Sequence, residues 1–210
     1  MNEGAFTVFL VDDDPGVLKG VARLLRTSGY DSRTYGSAQE FLREHDPAAS
    51  GCAVLDLAMP GLDGMQLQHA LAVEGIARPI IFLTGKGDIP TSVRAMKAGA
   101  VDFLTKPVDR NDLLAAIERA RRQEFLSREA RAQLDSFEAK LASLTPRERE
   151  VLQHVVAGKL NKQIAADLGT VEKTVKVHRG RMMAKMGARS IVDLVRMVER
   201  AGFQASDRRA

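Results

Sequence analysis

The chain has 210 residues, of which 45% are hydrophobic and 28% are charged, so it is long enough for two small domains that each bury a core. Its first apolar stretch, residues 6–11, is too short for a signal peptide or a membrane span, which predicts a cytoplasmic protein with no membrane partner. The single cysteine excludes an internal disulfide, and the four histidines do not have the spacing of a zinc site.

Charge is distributed unevenly along the chain. Residues 1–120 contain 12 Lys and Arg against 16 Asp and Glu, whereas residues 145–210 contain 14 against 7. An acidic front part and a basic tail indicate two domains with different partners, and a polyanion is the expected partner of the tail.

The front part alternates short apolar runs with amphipathic stretches, a pattern typical of repeated βα units around a parallel sheet. It predicts a five-stranded, doubly wound α/β domain over residues 5–120, with a helix after each strand. The predicted strands are residues 7–11, 33–35, 52–55, 79–84 and 101–104.

Residues 121–142 are charged and contain neither glycine nor proline, which predicts a helical linker. Leu134, Phe137, Leu141 and Leu144 follow a 3-4-3 spacing. That spacing suits either a short coiled-coil contact between two chains or packing against a neighbouring domain, and the sequence favours neither.

The tail, residues 143–205, predicts a small all-α domain of four short helices. Thr145 followed by Pro146 is typical of a helix start, and the remaining helices are expected over residues 161–168, from within three residues of Gly169 to about Met186, and over 191–200. Two helices joined by a tight glycine turn, here at about 161–180, form a helix-turn-helix.

Polar side chains follow four of the predicted strands. Asp12, Asp13 and Asp14 come after the first strand, Asp56 after the third, Thr84 after the fourth and Lys106 after the fifth. Because the carboxyl ends of parallel strands share one edge of the sheet, these groups are expected to converge there.

Carboxylates brought together at one edge repel each other unless a cation lies among them, and an oxygen-rich cluster suits Mg²⁺ or another divalent cation. A hydroxyl and an ammonium facing that cation are the groups that a phosphoryl group requires. Asp56 is then the expected nucleophile, becoming an aspartyl phosphate. Each residue alone is better explained as a helix cap, a strand end or, for Lys106, a solvated charge, so the prediction depends on their combination.

The front part resembles the receiver domain of bacterial two-component response regulators, which has the CheY-like, flavodoxin-like fold. The resemblance is carried by "VDDD" (11–14), "LDLAMPGLDG" (55–64), "FLTGKGD" (82–88) and "AGAVDFLTKP" (98–107). The tail resembles the LuxR/FixJ class of DNA-binding domains through "LTPREREVL" and "NKQIAADLGTVEKTVKVHRGRMMAKM". The segment "TGKGDIPTSVRAMKAGAVDFLTKP" is similar to the FixJ-like subgroup of the FixJ/NarL family.

The resemblance implies that Asp56 accepts phosphate from a phosphohistidine on a sensor histidine kinase. It also implies that Asp13, Asp56 and the backbone carbonyl of Ala58 bind the cation, with Asp12 acting mainly through water. Asp14 matches a variable position and is expected to be at most an electrostatic helper.

Three further positions match the switch region of the family. Thr84 and Lys106 are expected to bind phosphate oxygens, and Phe103 occupies the position of the switch aromatic residue. Pro107 implies a cis peptide bond after Lys106.

The second helix of a helix-turn-helix reads bases in the major groove of double-stranded DNA. If Val175, Met182 and Met186 face the core, the outward residues that should contact DNA are Lys173, Lys176, Val177, Gly180 and Arg181. Asn161 and Lys162, which open the preceding helix, are placed to hold the phosphate backbone.

Two further predictions concern the backbone of the reading helix. Glycine is unfavourable inside a helix, so Gly180 indicates a close approach to another group. Because Val171 stands where many relatives have serine, Thr170 is expected to cap the helix.

These observations predict a response regulator that is phosphorylated, dimerises and binds promoter DNA to regulate transcription, with RNA polymerase as a further partner. The chain is not expected to be an enzyme beyond promoting its own phosphorylation and dephosphorylation. The alternatives are a constitutive DNA-binding protein with a silent receiver, or a phosphohydrolase that forms an aspartyl phosphate.

Overall fold

The computed structural model describes residues 6–85 and 89–203. They fall into two compact units, one extending to Arg128 and the other beginning at Glu129. The first unit contains a parallel sheet with helices on both faces, and the second is helical.

The sheet of the first unit has the strand order β2-β1-β3-β4-β5, and all neighbouring strands are parallel. This is the predicted doubly wound α/β fold. The strands are β1 (Thr7–Val11), β2 (Asp31–Tyr35), β3 (Gly51–Asp56), β4 (Ile80–Thr84) and β5 (Asp102–Thr105). The helices are α1 (Pro15–Thr27), α2 (Ala38–Glu44), α3 (Gly64–Val73), α4 (Ile89–Lys97) and α5 (Arg110–Ala142).

The predicted strand positions are correct, but several bounds differ by one or two residues. β2 starts at Asp31 rather than at residue 33, because pairing with β1 begins at Thr7 opposite Asp31. β2 is an edge strand with mostly exposed residues, so its polar amino end carries no apolar signal. Strand bounds are therefore set by pairing with the neighbouring strand rather than by hydrophobicity alone.

Two apolar clusters cover the two faces of the sheet. Successive residues of β3 alternate between them, so Leu55 packs with α2, α3 and α4 whereas Val54 packs with α1 and α5. β3 and β4 are buried along their whole length, as expected of central strands covered on both faces. The polar groups that end these strands are consequently carried at a buried edge.

The loop after β3 turns the chain sharply beneath Asp56. Gly61 has a φ of 81°, a left-handed conformation that glycine adopts at little cost. Asp63 caps α3 by accepting from the Gln66 backbone, while the Gln66 side chain accepts from the Asp63 backbone. Gly64 then passes so close to β3 that a Cβ there would lie 2.4 Å from the backbone oxygen of Asp56.

α5 is a single helix of 33 residues, and the predicted linker, residues 121–142, lies within it. Of the four apolar residues at 3-4-3 spacing, Phe137, Leu141 and Leu144 pack in the core of the second unit, and Leu134 is exposed. Three of the four residues therefore pack against the helices of the tail, which was one of the two alternatives.

The second unit continues with the four predicted helices, α6 (Pro146–Val156), α7 (Asn161–Asp167), α8 (Glu172–Met186) and α9 (Ile191–Arg200). α6 starts with a capping box between Thr145 and Glu148. The core is formed mainly by aliphatic and methionine side chains from all four helices.

The close approach at Gly64 leads to a prediction about stability. Gly64→Ala is expected to destabilise the first unit by about 1–3 kcal/mol, because the added methyl group would overlap the Asp56 backbone and crowd the Phe82 ring. Urea unfolding of the full chain, followed by circular dichroism, measures this change.

Gly20→Ala is the matched control. A Cβ at Gly20, inside α1, meets no heavy atom within 4 Å in the described part of the chain, so this variant should gain about 0.5–1 kcal/mol. Equal effects of the two substitutions would contradict the close approach at Gly64.

Candidate functional site

The structure brings Asp12, Asp56 and Lys106 together at the carboxyl edge of the sheet. The Lys106 ammonium lies 2.5 Å from Asp12 Oδ2 and 3.3 Å from Asp56 Oδ2. Both carboxylates are buried, and the lysine side chain is mostly covered. Lys106 reaches this point because its backbone amide donates to the Thr84 carbonyl, which holds the end of β5 beside β4.

Burial and charge act in opposite directions on these groups. Burial raises the pKa of the Asp12 carboxyl, against the lowering effect of the Lys106 ammonium and of the Asp14 backbone amide. For Lys106, burial alone would lower the pKa, but the hydrogen bonds and negative charges of Asp12 and Asp56 outweigh it and raise the pKa. The carboxylates around Lys106 therefore favour its charged form, whereas burial disfavours the charged form of Asp12.

Asp13 joins the two buried carboxylates from the exposed side. Asp12, Asp13 and Asp56 each offer a carboxylate oxygen, and these oxygens lie within 4.8 Å of one another. Asp56 Oδ1 is buried and has no hydrogen-bond partner among residues 6–85 and 89–203. An unpartnered buried oxygen beside two further carboxylates fits a divalent cation with oxygen ligands.

The other predicted residues of this site lie on β4 and β5 or in the loops that follow β3 and β5. Thr84 is buried at the end of β4, and Phe103 is half-buried on β5, packed against the face that holds α2, α3 and α4. Ala58 is exposed in the loop after β3, and the peptide bond between Lys106 and Pro107 is cis, as predicted. Residues 86–88 of the "FLTGKGD" segment lie outside the described residues.

Asp14 has the helix-capping role that was the alternative explanation for the acidic run. Its side chain accepts from the backbone amides of Gly16 and Val17 and so caps α1. Within the run of three aspartates, Asp14 therefore caps α1, whereas Asp12 and Asp13 lie near Asp56.

In the second unit, α7 and α8 form the predicted helix-turn-helix around Gly169, which has a φ of 60°. Val175, Met182 and Met186 are fully buried, as predicted. The outward residues of α8 are all exposed: Lys173, Lys176, Val177, Gly180 and Arg181.

The predicted cap of α8 is wrong. The N-cap residue is Val171, whose side chain cannot accept a hydrogen bond, and Thr170 instead donates its backbone amide to the Ala165 carbonyl. Thr170 is therefore held by the turn after α7, one residue too early to cap α8.

Gly180 has open space around it. A Cβ at this position would have no heavy atom within 4 Å among the described residues, so packing inside the chain does not require glycine. The predicted close approach at Gly180 is thus not to another residue of the second unit.

Sequence reasoning missed two contacts that position the reading helix. Arg179 donates to the Asn161 side-chain oxygen at 2.8 Å, which joins α8 to the start of α7. Lys185 donates to Glu148 Oε2 at 2.6 Å, which joins the end of α8 to the start of α6. The partners are 18 and 37 residues apart, so no local pattern could reveal them.

Lys162, at the start of α7, is exposed, whereas Asn161 is half-buried and accepts the bond from Arg179. Of the residues predicted to contact DNA, Asn161 therefore also makes a contact within the second unit, and the others are exposed.

Two family models match the chain. The response regulator receiver domain matches residues 8–118, and the bacterial regulatory proteins of the luxR family match residues 142–198. The chain belongs to the two-component response regulators that combine a receiver domain with a LuxR-type DNA-binding domain and regulate transcription.

Relatives along the whole chain assign it to the FixJ-like subgroup, as predicted. It is 42% identical to the transcriptional regulatory protein FixJ of Rhizobium meliloti, over 96% of this chain and 98% of that one. It is 45% identical to nodulation protein W of Bradyrhizobium diazoefficiens, over 95% and 88%. The solved structure of the response regulator StyR, 47% identical, covers 93% of this chain and 98% of its own, with a TM-score of 0.85.

Among residues 6–85 and 89–203, no helix has the length and apolar character needed to cross a membrane.

The ion pair between Glu148 and Lys185 predicts a pH dependence. The hydrogen bond from Lys185, helped by the Thr145 backbone amide, lowers the pKa of Glu148 to about 2 from 4.5. A lowered pKa in the folded state contributes stability that is complete above about pH 4.5 and is lost as the pH falls towards 2. Glu148→Gln should remove this part of the acid dependence, as measured by thermal unfolding of the full chain over that pH range.

Glu150→Gln serves as the control, since Glu150 lies on the same helix but pairs with Arg147 at a more exposed position. It should leave the acid dependence nearly unchanged. If Glu148→Gln unfolds with the same pH profile as the unsubstituted chain, the ion pair does not contribute to stability.

Proposed function

We propose that Asp56 accepts a phosphoryl group from the phosphohistidine of a sensor histidine kinase. The observation that carries this proposal is the buried, unpartnered Oδ1 of Asp56, opposite an Oδ2 that already faces Lys106. A carboxylate oxygen without a hydrogen-bond donor keeps its lone pairs available for attack. The Asp56 oxygen forms the new bond to phosphorus, the bond from phosphorus to the histidine nitrogen breaks, and the imidazole keeps that electron pair.

Mg²⁺ is the proposed cofactor of this step, with another divalent cation as a substitute. Asp13, Asp56 and the Ala58 carbonyl would hold it, with Asp12 acting through water, and the close carboxylate oxygens support this assignment. When bound, the cation neutralises charge on the transferred phosphoryl group. Lys106 holds a second phosphoryl oxygen, and Thr84 a third.

We further propose that phosphorylation changes the surface formed by α4 and α5, so that two chains pair there. Thr84 moves towards the phosphate and Phe103 turns into the space beside it. Val93 and Met96 on α4 are about half exposed, so apolar surface for a partner lies on that side. A dimer then presents two copies of α8 to a two-fold symmetric DNA site.

The exposed residues of α8 are proposed to contact promoter DNA, with the side chains of Lys173, Lys176 and Arg181 binding phosphates or guanines. The open space at Gly180 supports a close approach by the DNA backbone or a base. Lys162 and Asn161 hold the phosphate backbone at the start of α7. RNA polymerase is the further partner in the cytoplasm.

The proposed chemistry is limited to phosphorylation and dephosphorylation of this chain. Two alternatives lead to different measurements. A phosphohydrolase would turn over a generic phosphomonoester, and a regulator with a silent receiver would bind DNA equally well with and without an acyl-phosphate donor. The buried cluster of Asp12, Asp56 and Lys106 favours a working receiver over both alternatives.

Asp56→Asn is expected to abolish labelling by radioactive acetyl phosphate and the phosphate-dependent dimer seen by sedimentation, since the amide is not a nucleophile for this step. Asp109→Asn, at an exposed helix start where asparagine also caps, should retain both. Labelling and dimerisation that persist in Asp56→Asn would overturn the assignment of Asp56.

Lys176→Ala is expected to weaken DNA binding several-fold at moderate salt and to reduce the salt dependence of binding by about one released counterion, with phosphorylation unchanged. Fluorescence anisotropy over a salt series, with a duplex selected by the full chain, measures both quantities. Arg196→Ala removes one positive charge from an exposed position on α9 and is the control. Equal behaviour of the two variants would show that only net charge matters and that α8 is oriented differently.

A further inference from the structure

Glu172 is an acidic residue at the end of α8 that is expected to enter the DNA groove. It is the first residue of α8, directly after the N-cap Val171, and its side chain is 47% exposed. The sequence of α8 contains no second Asp or Glu, and its other charged residues are lysines and arginines. A carboxylate repels the phosphates of DNA, so non-specific binding does not account for this residue.

Glu172 lies on the same side of α8 as Lys176, one turn earlier. Its Oε1 is 3.3 Å from the Lys176 Nζ, and both side chains are exposed to solvent. Residues four apart are neighbours on one helix face, so a groove that receives Lys176 also receives Glu172. The N-terminal residues of a reading helix are the ones that reach base edges. The two side chains are therefore placed to meet the bases as a pair, with one acceptor and one donor.

Helix stability gives only part of the reason for an acid at this position. Val171 makes no side-chain cap, and a negative charge in the first turn is favourable beside the positive end of the helix dipole. Any acid in the first turn would have this effect, and an exposed ion pair between residues four apart contributes little to stability. The short distance between the carboxylate and the ammonium has a more specific consequence for base recognition.

A carboxylate accepts hydrogen bonds and cannot donate them, so in the major groove it pairs with an amino group, N4 of cytosine or N6 of adenine. Adenine N6 lies beside N7, a further acceptor that repels a carboxylate, whereas cytosine has no acceptor beside N4. The guanine paired with that cytosine presents two acceptors, O6 and N7, to an ammonium. Cytosine N4 and guanine O6 are hydrogen-bonded to each other and so lie about 3 Å apart, close to the separation of Glu172 Oε1 and Lys176 Nζ.

We propose that Glu172 and Lys176 together read one C·G base pair in each half of the DNA site, with the carboxylate on cytosine N4 and the ammonium on guanine. This assignment rests on the proposed contact of α8 with promoter DNA and adds a specificity-determining acid to it. Glu172 lowers the affinity for DNA of unrelated sequence, because it repels phosphates, and raises the affinity for a site with C·G at this position.

Selection of DNA from a randomised duplex library by the full chain, with acetyl phosphate present, tests this assignment. The selected duplexes should share a C·G pair at one position of each half-site, and fluorescence anisotropy should show that replacing it by any other pair weakens binding about fivefold or more. Glutamine bonds to adenine through N6 and N7, so Glu172→Gln should change the preference at that position alone, from C·G to A·T. Glu172→Ala should lose the preference and bind a duplex of unrelated sequence about twofold or more tightly.

Two further variants separate base reading from general effects of charge. Lys176→Ala should reduce the C·G preference at the same position, and the double variant with Glu172→Gln should not restore it, because the two side chains act on one base pair. Glu199→Gln removes an exposed acid from α9 and is the control, which should leave the base preference at every position unchanged. Thermal unfolding of each variant accounts separately for any loss of the helix start.

Base preferences that are unchanged at every position in Glu172→Gln and Glu172→Ala would overturn the proposal and leave Glu172 with a role at the helix start only. A preference that Glu172→Gln alters at one position and Lys176→Ala at another would overturn the joint reading of one base pair. A full chain that selects no sequence would contradict the proposed contact of α8 with DNA itself, a result distinct from the other two.

Discussion

At the carboxyl edge of the receiver sheet, the buried carboxylates of Asp12 and Asp56 both contact the single ammonium of Lys106. The other features of the candidate site depend on this contact. Asp12 and Asp56 both contact Lys106, and a single positive charge cannot neutralise two negative ones. Parallel pairing of β1, β3 and β4 forces the two carboxylates to the same edge, so their repulsion is a direct result of the topology. An excess of negative charge of this kind favours a divalent cation beside the carboxylates.

The position of Asp56 depends on backbone more than on side-chain contacts. β3 is buried along its length, and the loop after it turns back so tightly that Gly64 lies against the Asp56 carbonyl. On the other side, Lys106 is held by the bond from its amide to the Thr84 carbonyl. Asp56 is therefore carried by the end of a buried strand, and Asp12 and Lys106 directly follow β1 and β5.

The sequence predicted the strands, their parallel direction and the convergence of Asp12, Asp56 and Lys106, because apolar runs mark central strands and the carboxyl ends of parallel strands share one edge of a sheet. It did not predict the environment of Arg78, whose partners Phe9 and Asp46 come from two other parts of the chain. Thr170 does not cap α8 because it lies in the turn after α7, one residue before the N-cap position. Residue type and spacing reveal repeating patterns, whereas contacts between distant segments are known only once the chain is folded.

One carboxylate in the DNA-binding unit serves two helices at once. Glu148 completes the cap of α6 through the Thr145 amide and also fixes the end of α8 through Lys185. A substitution of Glu148 therefore alters both the start of α6 and the contact that holds the end of α8. Substitutions at positions 145, 148 and 185 are expected to occur in concert as such domains diverge, so that this small core evolves by joint replacement rather than by single steps.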